Sequence, residues 1–425
     1  MKTTLFIMLP SISHYHAAFG LANEIRNSGQ RVIFTGTLKV KDTIEDEGFE
    51  YIYFGYLTEY IILNFKVFNG ILIKSLIDKR YLKERYRDFL DGHQRLNKLL
   101  EQTNPYHIYI DEHLSEYAIY LSVKNILISI LCTKLSSRKA KGVPPMNSYF
   151  VPDNSTYSNL VCELLWCKRW LRKMWNKWII KIAFCGNDEA SFIQRWKKSV
   201  NYSIRIPIDE YNYHFKGIVG IPRIILGTRN LEFTWRPEFE GEKYIFSPTC
   251  RKEIKYMTKE YNDLIEFINV VRMLAAKKVI YCSFGTVRYK DERRISLFMK
   301  KILSAKSDFG EGVILVISKG KLLFDWPEMK DTYYFDFLPQ LDFLNHCDLM
   351  ITHGGHNSIK ECYQKGVKML VYPHMEDNDQ PGNAVRVESG GLGLMGNLEA
   401  DNARGVWSKI SYCISKLPKP CVPEL

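Results

Sequence analysis

Residues 337–384 read FLPQLDFLNHCDLMITHGGHNSIKECYQKGVKMLVYPHMEDNDQPGNA. The apolar run at 349–352 has the length and flanks of a buried parallel strand, stops at His353-Gly354-Gly355, and gives way to a helical pattern near Ile359. A strand, a tight turn and a helix start, in that order, suit a phosphate. Glycines let backbone approach a ligand, and the first-turn N–H groups have no partner inside the helix. His353 adds a donor beside them. The field of a helix N-terminus contributes only ~0.3–1 kcal/mol when exposed and ~2 when partly buried, so it assists a diphosphate without accounting for its affinity. A second reading needs no ligand: Ser358, followed three places on by Glu361, spells a capping box.

Outward from this stretch, the 425 residues are enough for two or three domains, and 46% hydrophobic with 25% charged residues is a globular balance. No apolar run reaches the ~18–20 residues of a membrane span, since Asn64, Lys66, Asn69 and Lys74 interrupt 61–77. The opening MKTTLFIMLPSIS is short in apolar residues and runs into a helical pattern without a small-residue cleavage site, so it is expected to be a first strand and not a signal peptide. Ten cysteines without a C-x-x-C pair point to thiols in a reducing cytosol, not to a disulfide frame or zinc site. The net charge of +12 is concentrated between Lys168 and Arg205 with no recognition motif beside it, so nucleic acid is not an expected partner.

Strand and helix patterns alternate along the chain. Residues 4–9 read as a strand, 10–13 as a loop, 17–27 as a helix closed by Gly29, and 31–35 as the next strand; 51–54, helical 81–102, 107–110 and 125–130 continue the series. A second set of buried runs lies at 279–283, 313–317, 333–337, 349–352 and 368–372. The fold class is therefore α/β, with doubly wound parallel sheets whose ligands bind beyond the carboxyl ends of the strands. His14, after the first strand, and Asp111, at the end of 107–110, should meet there as a general base and the carboxylate that orients it. Helix capping is the competing role for Asp111, and His16 is the rival base.

The stretch at 337–384 resembles the nucleotide-sugar signature of family 1 glycosyltransferases, the UDP-glycosyltransferase superfamily. Gln340, Thr352 to Gly355, Asn357-Ser358, Glu361, Gly366-Val367, Pro373, Asp379-Gln380 and Asn383-Ala384 stand in that family's order. The resemblance implies a GT-B fold: two Rossmann-like domains, 1–243 for the acceptor and 244–425 for the nucleotide sugar, facing a cleft. It implies that Phe337 and Gln340 lie against uracil and ribose, and that Glu361 takes the ribose hydroxyls. His353, Gly355, Asn357 and Ser358 hold the diphosphate with Ser283, Gly285 and Thr286 of a turn similar to S-F-G-S, and Asp379 and Gln380 bind sugar hydroxyls. His14 aligns with the catalytic histidine and Asp111 with its dyad partner. His356 is expected to pack or to face the acceptor.

Implied in turn is inverting transfer of a hexose, glucose from Gln380, from a UDP-sugar to a hydroxyl of a lipophilic small molecule. No metal or other cofactor is needed on this reading. An epimerase acting on the UDP-sugar, or a non-catalytic membrane-associated homologue, are the alternatives. Ser13-His14 and Gly142-Val143-Pro144-Pro145 look like the bacterial carotenoid (zeaxanthin) branch, while the family's G-H-x-x-P opening is missing. The family usually finishes with a long helix, whereas Lys416 to Leu425 carries Pro418, Pro420 and Pro423, which helices exclude, so either the chain is shortened or its ending differs. Between 162 and 182, Trp166, Trp170, Met174 and Trp178 recur at four-residue spacing among lysines and arginines. That pattern is read either as cover for the helix's own domain or as peripheral contact of a cytoplasmic protein with the inner face of a membrane.

Overall fold

The first apolar run is strand β1 (Thr3–Ile7), buried along its length. The computed structural model describes residues 1–55, 65–204, 206–246, 257–275, 277–285, 292–308, 312–320, 322–375 and 378–420. The order continues α1 (Ile12–Asn27), β2 (Arg31–Gly36), α2 (Lys41–Asp46), β3 (Glu50–Tyr53), α3 (Phe65–Ile77), α4 (Lys79–Thr103), β4 (His107–Asp111), α5 (Tyr117–Leu121) and β5 (Leu127–Cys132). Then come α6 (Thr156–Ala183), α7 (Glu189–Ser199), β6 (Arg223–Ile225) and β7 (Glu242–Tyr244). These seven strands form one sheet in the order β3-β2-β1-β4-β5-β6-β7, with β1 to β5 paired in parallel.

The later half repeats the plan with α8 (Lys259–Ala275), β8 (Lys278–Ser283), α9 (Glu292–Asp308), β9 (Val313–Ser318), β10 (Thr332–Phe335), α10 (Gln340–Phe343), β11 (Leu349–Thr352), α11 (His356–Gln364), β12 (Lys368–Val371), α12 (Gln380–Ser389), β13 (Gly393–Met395) and α13 (Ala403–Lys416). Its all-parallel sheet runs β10-β9-β8-β11-β12-β13. Alternate strand residues supply two cores. Val279, Tyr281 and Met350 pack with α8 and α11, while Ile280, Cys282 and Ile351 pack with α9 and α13 on the other face. Burial on both faces is why these strands read as unbroken apolar runs.

Strand order reverses between β1 and β4 in the first sheet and between β8 and β11 in the second. Such switch points open a crevice at the carboxyl ends, and each of the two holds one group of expected site residues. The two compact units are not consecutive stretches of chain. Lys134–Cys162 and Ile225–Glu238 belong to the second unit with Tyr244–Leu425, while Met1–Thr133, Glu163–Ile224 and Phe239–Lys243 make the first.

From Glu163 onward helix α6 belongs to the first unit and packs on it with part of the expected stripe. Trp166 is 2% exposed, Trp170 packs edge-on to Tyr211, and Met174 is half-buried, whereas Trp178 faces solvent. Inward cations find acceptors: Arg169 Nε donates to His214 Nδ1 at 2.8 Å and Lys173 donates to the Phe215 carbonyl. Among the described residues no helix is long and apolar enough to cross a membrane, and the eight described cysteines are free thiols. Helix α13 stops at Lys416, ahead of Pro418, as the prolines require.

Candidate active site

In the first unit, α1 begins earlier than its sequence pattern, at Ile12 after the N-cap Ser11. His14 thus sits inside the first turn and not on a preceding loop. It is 8% exposed, and its Nδ1 lies 2.6 Å from Oδ2 of the fully buried Asp111 and 2.9 Å from Thr133 Oγ1. The other carboxylate oxygen, Oδ1, accepts from the backbone N–H of His113 at 3.0 Å and lies 3.0 Å from its Nδ1. Asp111 therefore fills both roles that compete for it in the sequence, capping the turn Glu112–Leu114 with one oxygen and holding His14 with the other. Burial would raise this carboxyl, but His14 and then His113 hold it far below the usual carboxylate range. An ionised partner fixes the His14 proton on Nδ1 and leaves Nε2 as the basic nitrogen. His16 is half-buried, with its ring centroid 5.9 Å from that of Phe19.

His14, Asp111 and His113 also bring three ligand-type atoms within 4.8 Å of one another, the arrangement among the described residues able to hold a metal ion. Here those atoms meet in hydrogen bonds. Two contributors were missed in the sequence: His113, signalled only by its place two residues after Asp111, and Thr133, just past the end of β5.

In the second unit, Ser283 ends β8 in register with Thr352 of β11 and Ser318 of β9. His353 follows β11, 8% exposed, with its Nδ1 buried and unpartnered among the described residues. Its imidazole is wedged between two glycines. A Cβ at Gly285, where φ is +78°, would stand 2.8 Å from His353 Cε1, and one at Gly355 would stand 2.7 Å from Nε2. Burial first, and then neighbouring His374, depress His353 to about 3, so the ring is neutral. Helix α11 starts at His356, not near Ile359, because Gly355 in extended conformation is its N-cap. The capping box is accordingly absent. Ser358 Oγ lies 3.3 Å from Gln340 Nε2, which also donates to Glu361 Oε2 at 2.5 Å. Asn357 is half-buried in the first turn, and His356 is a packing residue whose Nε2 meets the Leu226 carbonyl at 2.9 Å. Thr286 lies outside the described residues.

Phe337 is 39% exposed beside a depression of about 740 Å³ that Phe267, Tyr333 and Phe335 also line. Asp379, just before α12, receives Asn383 Nδ2 at 2.9 Å and Lys134 Nζ at 3.2 Å. Its burial is outweighed by Lys134 and then His356, which hold the carboxyl at about 2. Gln380 Oε1 accepts from the backbone N–H groups of His374 and Met375, both at 3.0 Å, so this side chain shapes the loop after β12. Lys134 had no signal in the sequence, because its partner is distant in the chain.

Residues 299–419 match the glycosyltransferase family 28 C-terminal domain. The chain is 31% identical over 135 residues to an uncharacterised UDP-glucosyltransferase, YdhE, of Bacillus subtilis (32% of this chain, 33% of that protein). It is 25% identical over 253 residues to human UDP-glucuronosyltransferase 2A2 (54% of this chain, 43% of that protein). The matched stretches thus span about a third and two fifths of those relatives. The fold is similar to the glycosyltransferase of kitacinnamycin, with TM-score 0.64 at 16% identity over 98% of this chain and 91% of that one. It is also similar to a spinosyn rhamnosyltransferase complexed with thymidine diphosphate, with TM-score 0.56 at 14% identity over 98% and 92%. With two α/β sheets, the T-H-G-G turn between β11 and α11, and these structural neighbours, the chain has the GT-B fold, and its residues 299–419 match the glycosyltransferase family 28 C-terminal domain.

Proposed function

We propose that this protein transfers a hexose, glucose, from a UDP-sugar to a hydroxyl of a lipophilic small molecule, with inversion at the anomeric carbon. The observation that carries the chemistry is the buried 2.6 Å contact of His14 with Asp111 at a switch point of the first sheet. His14 Nε2 takes the acceptor hydroxyl proton as the oxygen attacks the anomeric carbon and the bond to UDP breaks. Asp111 stabilises the imidazolium formed. It is ionised before the reaction starts, so no reorganisation is needed as charge develops.

On the donor side, the leaving diphosphate is met by Ser283, Gly285 and Thr286, by His353 as a neutral donor, and by Gly355, Asn357 and Ser358 at the start of α11. Phe337 carries the uracil, and Gln340 and Glu361 take the ribose, exchanging their mutual hydrogen bond for the sugar hydroxyls. Asp379 and Gln380 receive the hexose. These fixed dipoles offset the charge on departing UDP without a metal ion. UDP as the nucleotide is supported by the glucosyl- and glucuronosyltransferase relatives. A lipophilic acceptor is supported by the aromatic and aliphatic residues of 56–77, of which 56–64 lie outside the described residues, and it fits a membrane contact through 162–182.

The test is direct. His14→Ala is expected to lower transfer from UDP-glucose to hydroxylated polyenes and phenolic lipids by at least about 10³-fold, read by mass of the adduct. UDP affinity, read by calorimetry, stays within a factor of about two, because His14 meets the acceptor and not the nucleotide. Unchanged turnover would remove His14 as the base.

A further inference from the structure

We infer that the outward face of α6 is a docking surface for an anionic lipid bilayer. Of the tryptophan stripe expected from spacing, Trp178 faces solvent, and it does so among other side chains of α6. Leu164, Leu171, Trp175, Trp178 and Ile182 are each 38–61% exposed. At 100° per residue they fall within roughly 60° of arc along about 27 Å of helix, a continuous apolar ridge. The Trp175 and Trp178 rings lie tilted against one another with centroids 5.3 Å apart, a pair of amphipathic rings of the kind that settle at the headgroup level.

The ridge is flanked by cations. Lys168 and Arg172 lie along one edge and Lys181 along the other, all exposed, and Glu163 is the single acid in the helix sequence. A second apolar and basic group stands near its C-terminal end. Ile73, Leu76 and Ile77 of α3 are exposed beside Lys74, Lys79 and Arg80. Lys74 lies over the Tyr81 ring at 4.2 Å, and Arg85 reaches from that ring to Phe184, directly after α6, at 4.1 Å.

Charge decides the occupant. A second copy of the chain docked along the same ridge would set Lys168 and Lys181 against like charges, whereas a bilayer rich in anionic headgroups complements them while taking up the apolar ridge. This names the face and the lipid class for the membrane contact proposed above. It is tested apart from the transfer chemistry, because vesicle binding is read without donor sugar.

The full-length chain is expected to float with phosphatidylglycerol–phosphatidylcholine vesicles and not with pure phosphatidylcholine, and added salt should weaken the binding. Trp175→Ser with Trp178→Ser should lower partitioning about tenfold. Lys168→Gln with Lys181→Gln should lower it roughly thirtyfold, at about one kcal/mol per surface cation. Both variants keep wild-type circular dichroism and UDP titration. Absence of flotation with anionic vesicles, or flotation indifferent to both pairs of substitutions, overturns the inference. A wild-type dimer that the Trp175→Ser, Trp178→Ser variant dissociates would assign the ridge to a second copy and overturn it equally.

Discussion

At the scale of single residues, Asp111 is the pivot of the proposed chemistry because each of its oxygens has its own histidine. Asp111→Asn keeps the shape but sets an amide opposite His14 Nδ1, so kcat is expected to fall by about 10²–10⁴-fold with UDP affinity unmoved. In the proposed chemistry His113 acts through Asp111 as a positioning residue. His113→Ala leaves Oδ1 only a backbone partner, and kcat should drop roughly tenfold with little change in donor KM, measured in the same transfer assay. The buried histidines of the second unit also link stability to pH. Burial carries His353 down to about 3 and His356 to about 4 from 6.5. Between those values and 6.5 the unfolded chain binds protons that the folded chain does not, so stability falls as pH drops through that window, by up to roughly 1.4 kcal/mol per pH unit for each imidazole. Above it they add no slope. Urea unfolding from pH 7 to 4.5 should show this decline, and His356→Gln should make it shallower.

At the scale of elements, the turn from β11 into α11 works because glycines stand on both sides of one imidazole. Gly355→Ala would place a Cβ 2.7 Å from His353 Nε2, so the ring must move away from the position where a diphosphate is expected. A loss of UDP affinity of at least about tenfold should follow in calorimetric titration, with a stability cost of roughly 1–3 kcal/mol from overpacking. Legibility in the sequence differed by element for a physical reason. Strands β8, β9, β11 and β12 were read nearly to their ends, since burial on both faces leaves no other periodicity to mistake. Helices α1 and α11 begin earlier than their apolar patterns do, because their first turns, at the proposed ligand sites, carry polar residues such as His14 and Asn357. In α6 the four-residue spacing described the inward face as far as Met174, while Trp178 joins the outward ridge, which Lys168 and Arg172 break in the sequence and which emerges only once the helix is seated.

At the scale of the whole molecule, the second unit depends on two segments that precede it in the chain. Arg386 of α12 donates to Glu232 at 2.8 Å, both almost fully buried, and Glu232 also accepts from the Ser136 N–H at 2.9 Å. Burial opposes the Glu232 charge, and Arg386 ahead of Arg236 holds its carboxyl below the usual range. Glu232→Gln would leave a buried guanidinium without its counter-charge and should cost about 3–5 kcal/mol, read as a lowered urea midpoint. The sequence by itself determined the alternation of strands and helices, the two parallel sheets, the T-H-G-G turn and the candidacy of His14 and Asp111, because period, glycine placement and strand-end position are local properties of the chain. Tertiary structure alone decided which unit takes up Lys134–Cys162 and Ile225–Glu238, that His113 and Thr133 join the His14 pair, and that Lys134 meets Asp379. Those contacts join residues far apart in the chain. Their partners are fixed by the packing of loops at the strand ends, which leaves no periodic trace in the sequence.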